Sequence, residues 1–350
     1  MRYPEFLPKN GTIGCIAPSF GCTTEPYRSL FLQAQTVFKY KGYQVELGPN
    51  CYKDDGIGKS TTPQACGDEI NEYMTRKDID VILSCGGGET MCEDLDYVDF
   101  KQLKKEAPKW YMGYSDNTNL TFLLPTLCDT AAIYGPCAGA FGMKPWHPAL
   151  EDAFRLLRGK QLEFEGYDLW EKESLKTDED PFQPYNVTEP KELITWTYDK
   201  KQKWARTEEK VKMEGRLLGG CLDCLINLCG TRYDKVERFN RRYEKDGILW
   251  FLESCDLNPL AIRRALWQLQ HAGWFDTAKG FLIGRPYCGM DPVLGLDAHE
   301  AVLDVLKTYH VPVVLDFDIG HLPPQIPMIT GAMAKVDVKG NESHIAYKLK

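Results

Sequence analysis

DVILSCGGG (80–88) and WYMGYSDNTNLTFLL (110–124) decide how this chain folds. Each opens with an apolar run that stops abruptly, the first on Gly86-Gly87-Gly88 and the second on Ser115-Asp116-Asn117-Thr118. A short continuous apolar run bounded by turn residues reads as a strand buried on both faces. The second run gives way at once to an apolar helical stretch. Ser115 therefore sits on a strand-to-helix turn, which has two readings. Ser, Asp, Asn and Thr are all good N-caps for a first helical turn. Alternatively, a serine there presents its hydroxyl at the edge of a sheet as a nucleophile.

Working outward, the same alternation repeats. GTIGCIAPS (11–19) and YQVELG (43–48) read as strands flanking helical periodicity over 26–41. A polar helical stretch covers 64–77, and AAIYGP (131–136) is a further strand. Strands separated by helices of this length predict a parallel, doubly wound α/β sheet, with its ligand crevice beyond the carboxyl ends of the strands. Residues 1–167 form this first domain. Residues 168–210 are charged and carry Pro181, Pro184, Pro190, Trp170, Trp196 and Trp204, which reads as a connecting segment with a hairpin around ELITWTYD, serving either as a surface linker or as a binding loop. From 211 to 350 the pattern resumes as a second α/β domain. It has a helix start marked by Gly219-Gly220, the strand GILWFLE, the helix PLAIRRALWQLQHAG, the strands KGFLIG and VPVVLDFDIGH, and a closing β-hairpin.

The chain has 350 residues and a net charge of −8, so a nucleic acid or an anionic membrane is not the expected partner. No apolar run approaches the roughly 20 residues that span a bilayer, and the first residues lack a secretory pattern. The thirteen cysteines have no framework spacing and read as reduced, mostly buried thiols. Cys221 and Cys224 form a lone CxxC without the second pair a zinc site needs, so they read as helix packing residues. GIGKS (56–60) ends like a phosphate loop, but Lys53 stands where that motif requires glycine.

If Ser115 is a nucleophile, it needs a base, an orienting acid and an oxyanion hole. Of the six histidines, His271, His299, His310, His344 and His147 fall in helices, turns or the terminal strand. His321 alone directly follows a buried strand, on the proline-stiffened loop IGHLPPQIP. The strand GILWFLE terminates on Glu253, a carboxylate suited to hold the imidazole. Backbone N–H groups of Asp116 and of Gly87 or Gly88 would hold the oxyanion. The order Ser, Glu, His matches α/β-hydrolases, yet their G-x-S-x-G fails because Asn117 replaces the last glycine.

GYSD (113–116), the upstream double glycine, LE (252–253) and GH with its proline-rich loop and Gly331 together resemble the LD-carboxypeptidase family of serine peptidases. That family includes murein tetrapeptide carboxypeptidases and microcin C immunity peptidases. The resemblance runs from the IAPS strand to PMITGAMAKVD. It implies a triad of Ser115, Glu253 and His321, with an oxyanion hole from Gly87, Gly88 and the Asp116 amide. It also implies a flavodoxin-like N-terminal domain, a smaller C-terminal α/β domain of swivelling type, a homodimer, and no metal or cofactor. CGGGET replaces the RGGYG of the murein enzymes, and the Trp-bearing 168–210 segment also points to the immunity branch. Where the family often has an arginine, Gln64, Ala65 and Cys66 stand.

The expected activity is a cytoplasmic serine carboxypeptidase or amidase. Its substrates would be murein peptides with a terminal D-residue, or aminoacyl-nucleotides of the microcin type. Two rivals are a non-catalytic peptide- or sugar-binding module, and a thiol enzyme using Cys85 or Cys92.

Overall fold

Apolar runs too short to bury themselves as helices become strands, and the polar-faced periodic stretches between them become the helices that cover the sheet. A computed structural model describes residues 1–56, 58–201 and 203–349. Ile57 of the GIGKS segment, Gln202 of the connecting segment and Lys350 at the end of the second domain lie outside the described residues. The chain forms two compact units, the first made of Met1–Gln161, Glu173–Asn186 and Pro327–Ile329.

In that first unit the order is β1 (Thr12–Ile16), α1 (Tyr27–Tyr40), β2 (Gln44–Leu47), α2 (Pro63–Thr75) and β3 (Val81–Ser84). Next come α3 (Phe100–Leu103), β4 (Trp110–Gly113), α4 (Thr118–Leu123), β5 (Ala132–Tyr134) and α5 (Pro148–Leu157). These five strands pair in parallel in the order 2-1-3-4-5. This is the flavodoxin-like order, which reverses direction between β1 and β3. Every residue of β3 and β4 is buried, as their unbroken apolar sequences require. Helix α2 starts where Thr62 caps the Ala65 N–H and Pro63 fills the first position. His147, read from sequence as a polar-turn residue, caps α5 by accepting from the Ala149 N–H at 3.2 Å.

The second unit comprises Leu162–Lys172, Val187–Ile326 and Thr330–Lys350. Its strands are β6 (Glu163–Glu165), β7 (Leu169–Glu171), β8 (Val187–Pro190), β9 (Ile194–Asp199), β10 (Lys203–Arg206) and β11 (Val211–Cys221). They are followed by α6 (Leu222–Leu228), α7 (Val236–Arg242), β12 (Ile248–Glu253), α8 (Pro259–His271), β13 (Ala278–Gly284), α9 (Ala298–Leu306) and β14 (Val313–Phe317). The chain ends with β15 (Met328–Thr330), β16 (Met333–Lys339) and β17 (Glu342–Lys348). Nine strands form one sheet in the order 10-9-14-13-12-11-16-17-6. Its four central strands, β11 to β14, run parallel, and the flanking pairs are antiparallel. Strand β15 lies instead at the outer edge of the first sheet, beside β5.

One local expectation fails. Gly219 and Gly220 do not open a helix; they lie near the end of β11, with φ of 154° and 144°. A Cβ on Gly219 would fall 1.7 Å from the Phe251 carbonyl oxygen, so the glycine lets β12 approach closely. Consequently Cys221 is a strand residue, and only Cys224 of the CxxC belongs to a helix.

Candidate active site

Each parallel sheet delivers its chemistry where its strands end. In the first unit, β4 stops at Gly113 and Ser115 opens a tight turn of 3₁₀ helix, Ser115–Asn117, ahead of α4. The capping position belongs to Tyr114, whose side chain makes no capping bond, so Ser115 is not the N-cap. Its φ is +62°, a left-handed conformation that costs a non-glycine residue about 1–3 kcal/mol. Such strain persists only where surrounding bonds over-determine it. The Ser115 N–H donates to Tyr134 Oη at 3.0 Å. Asn117 donates from Nδ2 to the carbonyls of Tyr114 (3.0 Å) and Gly86 (2.9 Å), and its Oδ1 accepts from the Tyr111 hydroxyl. A Cβ on Gly113 would lie 2.7 Å from Asn117 Cγ. Asn117 thus occupies the room Gly113 leaves, tying the Ser115 turn to the glycine turn.

That glycine turn is the end of β3. A Cβ built on Gly87 would stand 3.6 Å from Ser115 Oγ, placing the turn's backbone directly against the hydroxyl. Gly88 has φ +147°, and a Cβ there would sit 1.9 Å from Ser19 Oγ, so only glycine fits. The Phe20 N–H donates to the Gly87 carbonyl at 2.8 Å. Because a trans peptide points its N–H opposite to its C=O, the Gly88 N–H is turned away from Phe20.

Asp116, buried behind Ser115, holds these pieces together. Its Oδ2 accepts from Ser19 Oγ (2.5 Å) and the Met91 N–H (2.9 Å), and its Oδ1 from Asn119 Nδ2 (3.0 Å). Beside it lies Asp94, whose carboxyl is pushed up to about 9 by burial and then by the Asp116 charge, against the pull of Lys59. Burial and the neighbouring Asp116 thus hold Asp94 toward its neutral form.

In the second unit, β12 ends on Glu253, which is fully buried. Its Oε2 lies 2.8 Å from His321 Nδ1. Gly320, at φ +102°, permits this contact, since a Cβ there would lie 2.7 Å from Oε2. Burial alone would hold the imidazole below its ordinary value, but the Glu253 carboxylate and the Cys255 thiol outweigh it and raise His321 well above 6.5. Glu253 thereby orients the ring with Nδ1 toward itself.

The six residues read from sequence thus fall into two groups: Ser115, Asp116, Gly87 and Gly88 in one unit, Glu253 and His321 in the other. Sequence reasoning missed Ser19, Tyr134, Asn117 and Gly320, which touch the site only through its scaffold. Ser19 could have been read from the IAPS strand end, which arrives at the same sheet edge. The thiols are poor nucleophiles. Cys85 is buried and held far above its ordinary value, chiefly by its contact with the Cys22 thiol, and burial also raises Cys92. Among the described residues, no three His, Cys, Asp or Glu side chains are grouped to hold a metal ion, and no helix is long and apolar enough to cross a membrane.

Residues 13–135 match the LD-carboxypeptidase N-terminal domain, and residues 214–336 match the LD-carboxypeptidase C-terminal domain. The chain belongs to the LD-carboxypeptidase family. It is accordingly a hydrolase of the serine peptidase class. Two relatives span nearly its whole length. The microcin C7 self-immunity protein MccF of Escherichia coli is 25% identical over 335 residues, 93% of this chain and 90% of that protein. A probable murein peptide carboxypeptidase of Bacillus subtilis is 26% identical over 340 residues, 95% of this chain and 91% of that protein. Among solved structures, an MccF-like protein from Bacillus anthracis superposes with a TM-score of 0.81 at 20% identity, covering 99% of this chain and all of that one. MccF in complex with glutamyl sulfamoyl guanosine gives 0.78 at 21% identity, covering 99% and 98%. These likenesses establish the same two-domain α/β fold.

Proposed function

We propose that this protein is a serine carboxypeptidase or amidase that cleaves small peptide conjugates through Ser115, His321 and Glu253. The observation that carries the reading is the strained Ser115, held at φ +62° at the end of a buried strand with its hydroxyl against a glycine turn. Strain at a surface cap would serve nothing; strain that presents a nucleophile has a use. In the reaction, His321 Nε2 takes the Ser115 proton as Oγ attacks the scissile carbonyl. The N–H groups of Asp116 and Gly88 receive the oxyanion, with Gly87 supplying the close backbone. The imidazolium, stabilised by Glu253, protonates the leaving amine, and water then hydrolyses the acyl-enzyme by the reverse proton route.

The substrate class follows from the relatives, one named for murein peptides and one solved with an aminoacyl sulfamoyl nucleoside. Murein peptides ending in a D-residue and aminoacyl-nucleotides are the two candidates. The same reading expects a homodimer in the cytoplasm, where the thirteen cysteines stay reduced. A fluorophosphonate probe tests the chemistry: stoichiometric labelling at Ser115, lost in His321→Ala, is the expected result. Absence of labelling in the native protein, or labelling indifferent to His321, would overturn it. Mass-spectrometric digestion of a murein tetrapeptide beside an aminoacyl-sulfamoyl adenosine then assigns the substrate.

A further inference from the structure

We propose that the second unit carries a binding cleft for an amino-acid zwitterion, at the carboxyl ends of β13 and β14. The cleft has a volume of ≈ 420 Å³, at the lower end of the range for small-molecule sites. Arg285, Trp170, Asp297, His299 and Asp316 are among the residues that line it. Carboxyl ends of adjacent parallel strands are where open α/β sheets bind ligands.

Arg285 is the decisive residue. It is 4% exposed and donates from Nη2 to Asp318 Oδ1 at 2.5 Å, yet its buried Nη1 has no hydrogen-bond partner. Lys191, equally buried, places Nζ 3.6 Å from the other oxygen of the same carboxylate. Two buried cations therefore share one buried anion. A buried N–H without an acceptor costs about 1–3 kcal/mol, and a guanidinium fork is shaped to meet a carboxylate. A second feature agrees. The Asp297 carboxylate caps α9 by accepting the Glu300 N–H at 2.8 Å, and the positive end of that helix opens at the cleft.

A purely anionic ligand does not fit, because Glu189, Glu192 and Asp297 also line the cleft, beside an Asp316 already paired with His299 at 3.0 Å. An occupant that places a carboxylate toward Arg285 must place a positive group toward this acidic wall. A free amino acid satisfies both signs at once. Trp170, whose ring stacks 5.2 Å from the Arg285 guanidinium, adds an apolar face for the side chain. The class is also that of the product a carboxypeptidase releases, and for that link alone the inference rests on the proposed activity.

Calorimetric titration of the full chain with L- and D-alanine tests this, with propionate and ethylamine as the two half-ligands. Saturable alanine binding is expected, with each half-ligand at least about tenfold weaker. Arg285→Gln should lose alanine binding about tenfold or more, and Arg285→Lys should restore part of it. Glu189→Gln, at a half-buried position that tolerates change, should weaken alanine several-fold and leave propionate unchanged. No saturable binding of either alanine up to about 100 mM, or unchanged affinity in R285Q, overturns the proposal. If R285Q fails to fold, unchanged alanine affinity in E189Q overturns it. Failure here with Ser115 still labelled by fluorophosphonate rejects the cleft alone; alanine binding without labelling rejects the hydrolase reading alone.

Discussion

Replacing Gly88 by alanine should damage catalysis far more than a single methyl suggests. The new Cβ would fall 1.9 Å from Ser19 Oγ and 3.0 Å from the Phe20 nitrogen, at a φ of +147°. Ordinary contact needs about 3.4 Å or more, so something must move by more than about 1 Å. Ser19 cannot yield cheaply, because it is 1% exposed and bound to Asp116 at 2.5 Å. The glycine turn must therefore shift, carrying the Gly88 N–H with it. Losing one oxyanion donor costs about 10²–10³ in rate, roughly 2.7–4 kcal/mol. The left-handed strain adds a stability loss of about 1–3 kcal/mol, readable in urea unfolding. The assay is the second-order rate of fluorophosphonate reaction with Ser115, followed by intact-protein mass spectrometry. Ser19→Ala in the same chain removes the worst contact and leaves one at 3.0 Å to Ser19 Cβ, so the double variant should recover part of the rate. A Gly88→Ala protein that reacts within about twofold of the parent would refute the assignment of this turn to the oxyanion hole.

Three further outcomes follow from the site. Because His321 is raised above 6.5 and must be neutral to act as a base, the rate should climb with pH through a midpoint above 6.5. The stabilising ion pair runs the other way: it is fully present below the unfolded-state value and fades as pH rises through the folded one. Glu253→Gln removes the charge that opposes burial, so the acid limb of the pH–rate profile should move to lower pH. Its plateau should fall by about 10³–10⁴, as expected for a misheld imidazole; an unmoved limb would separate Glu253 from the base. Ser115→Gly should abolish labelling while raising stability in urea by about 1 kcal/mol, since glycine tolerates φ +62° without strain. A destabilised glycine variant would mean that Ser115 is held by its side chain rather than strained by its backbone.

The first sheet was legible because its strands are buried on both faces. VILS and WYMG cannot be amphipathic helices, and each ends on residues that can only turn. Ser115, Glu253 and His321 stood out in the sequence as polar residues at or shortly after the ends of apolar strands. What stayed hidden depends on pairing. Gly219 and Gly220 look like a helix start, and only the approach of Phe251 shows why glycine stands there. Ser19 and Asn117 are ordinary turn residues until Asp116 and the Gly86 carbonyl come within reach. The strands of the 168–210 segment are short and half-exposed, and their partners are up to about 120 residues away along the chain, as Val313 is from Trp196.

The return of residues 327–329 to the first sheet means that neither unit is a contiguous gene segment. A fragment stopped after Gln161 would leave β5 as a bare edge, its outward amides and carbonyls open to strands of other molecules, and would be prone to aggregate. Evolution by shuffling is closed to such a chain, because the last piece of the N-terminal fold is encoded behind His321. Ser115 and His321 must therefore be inherited together.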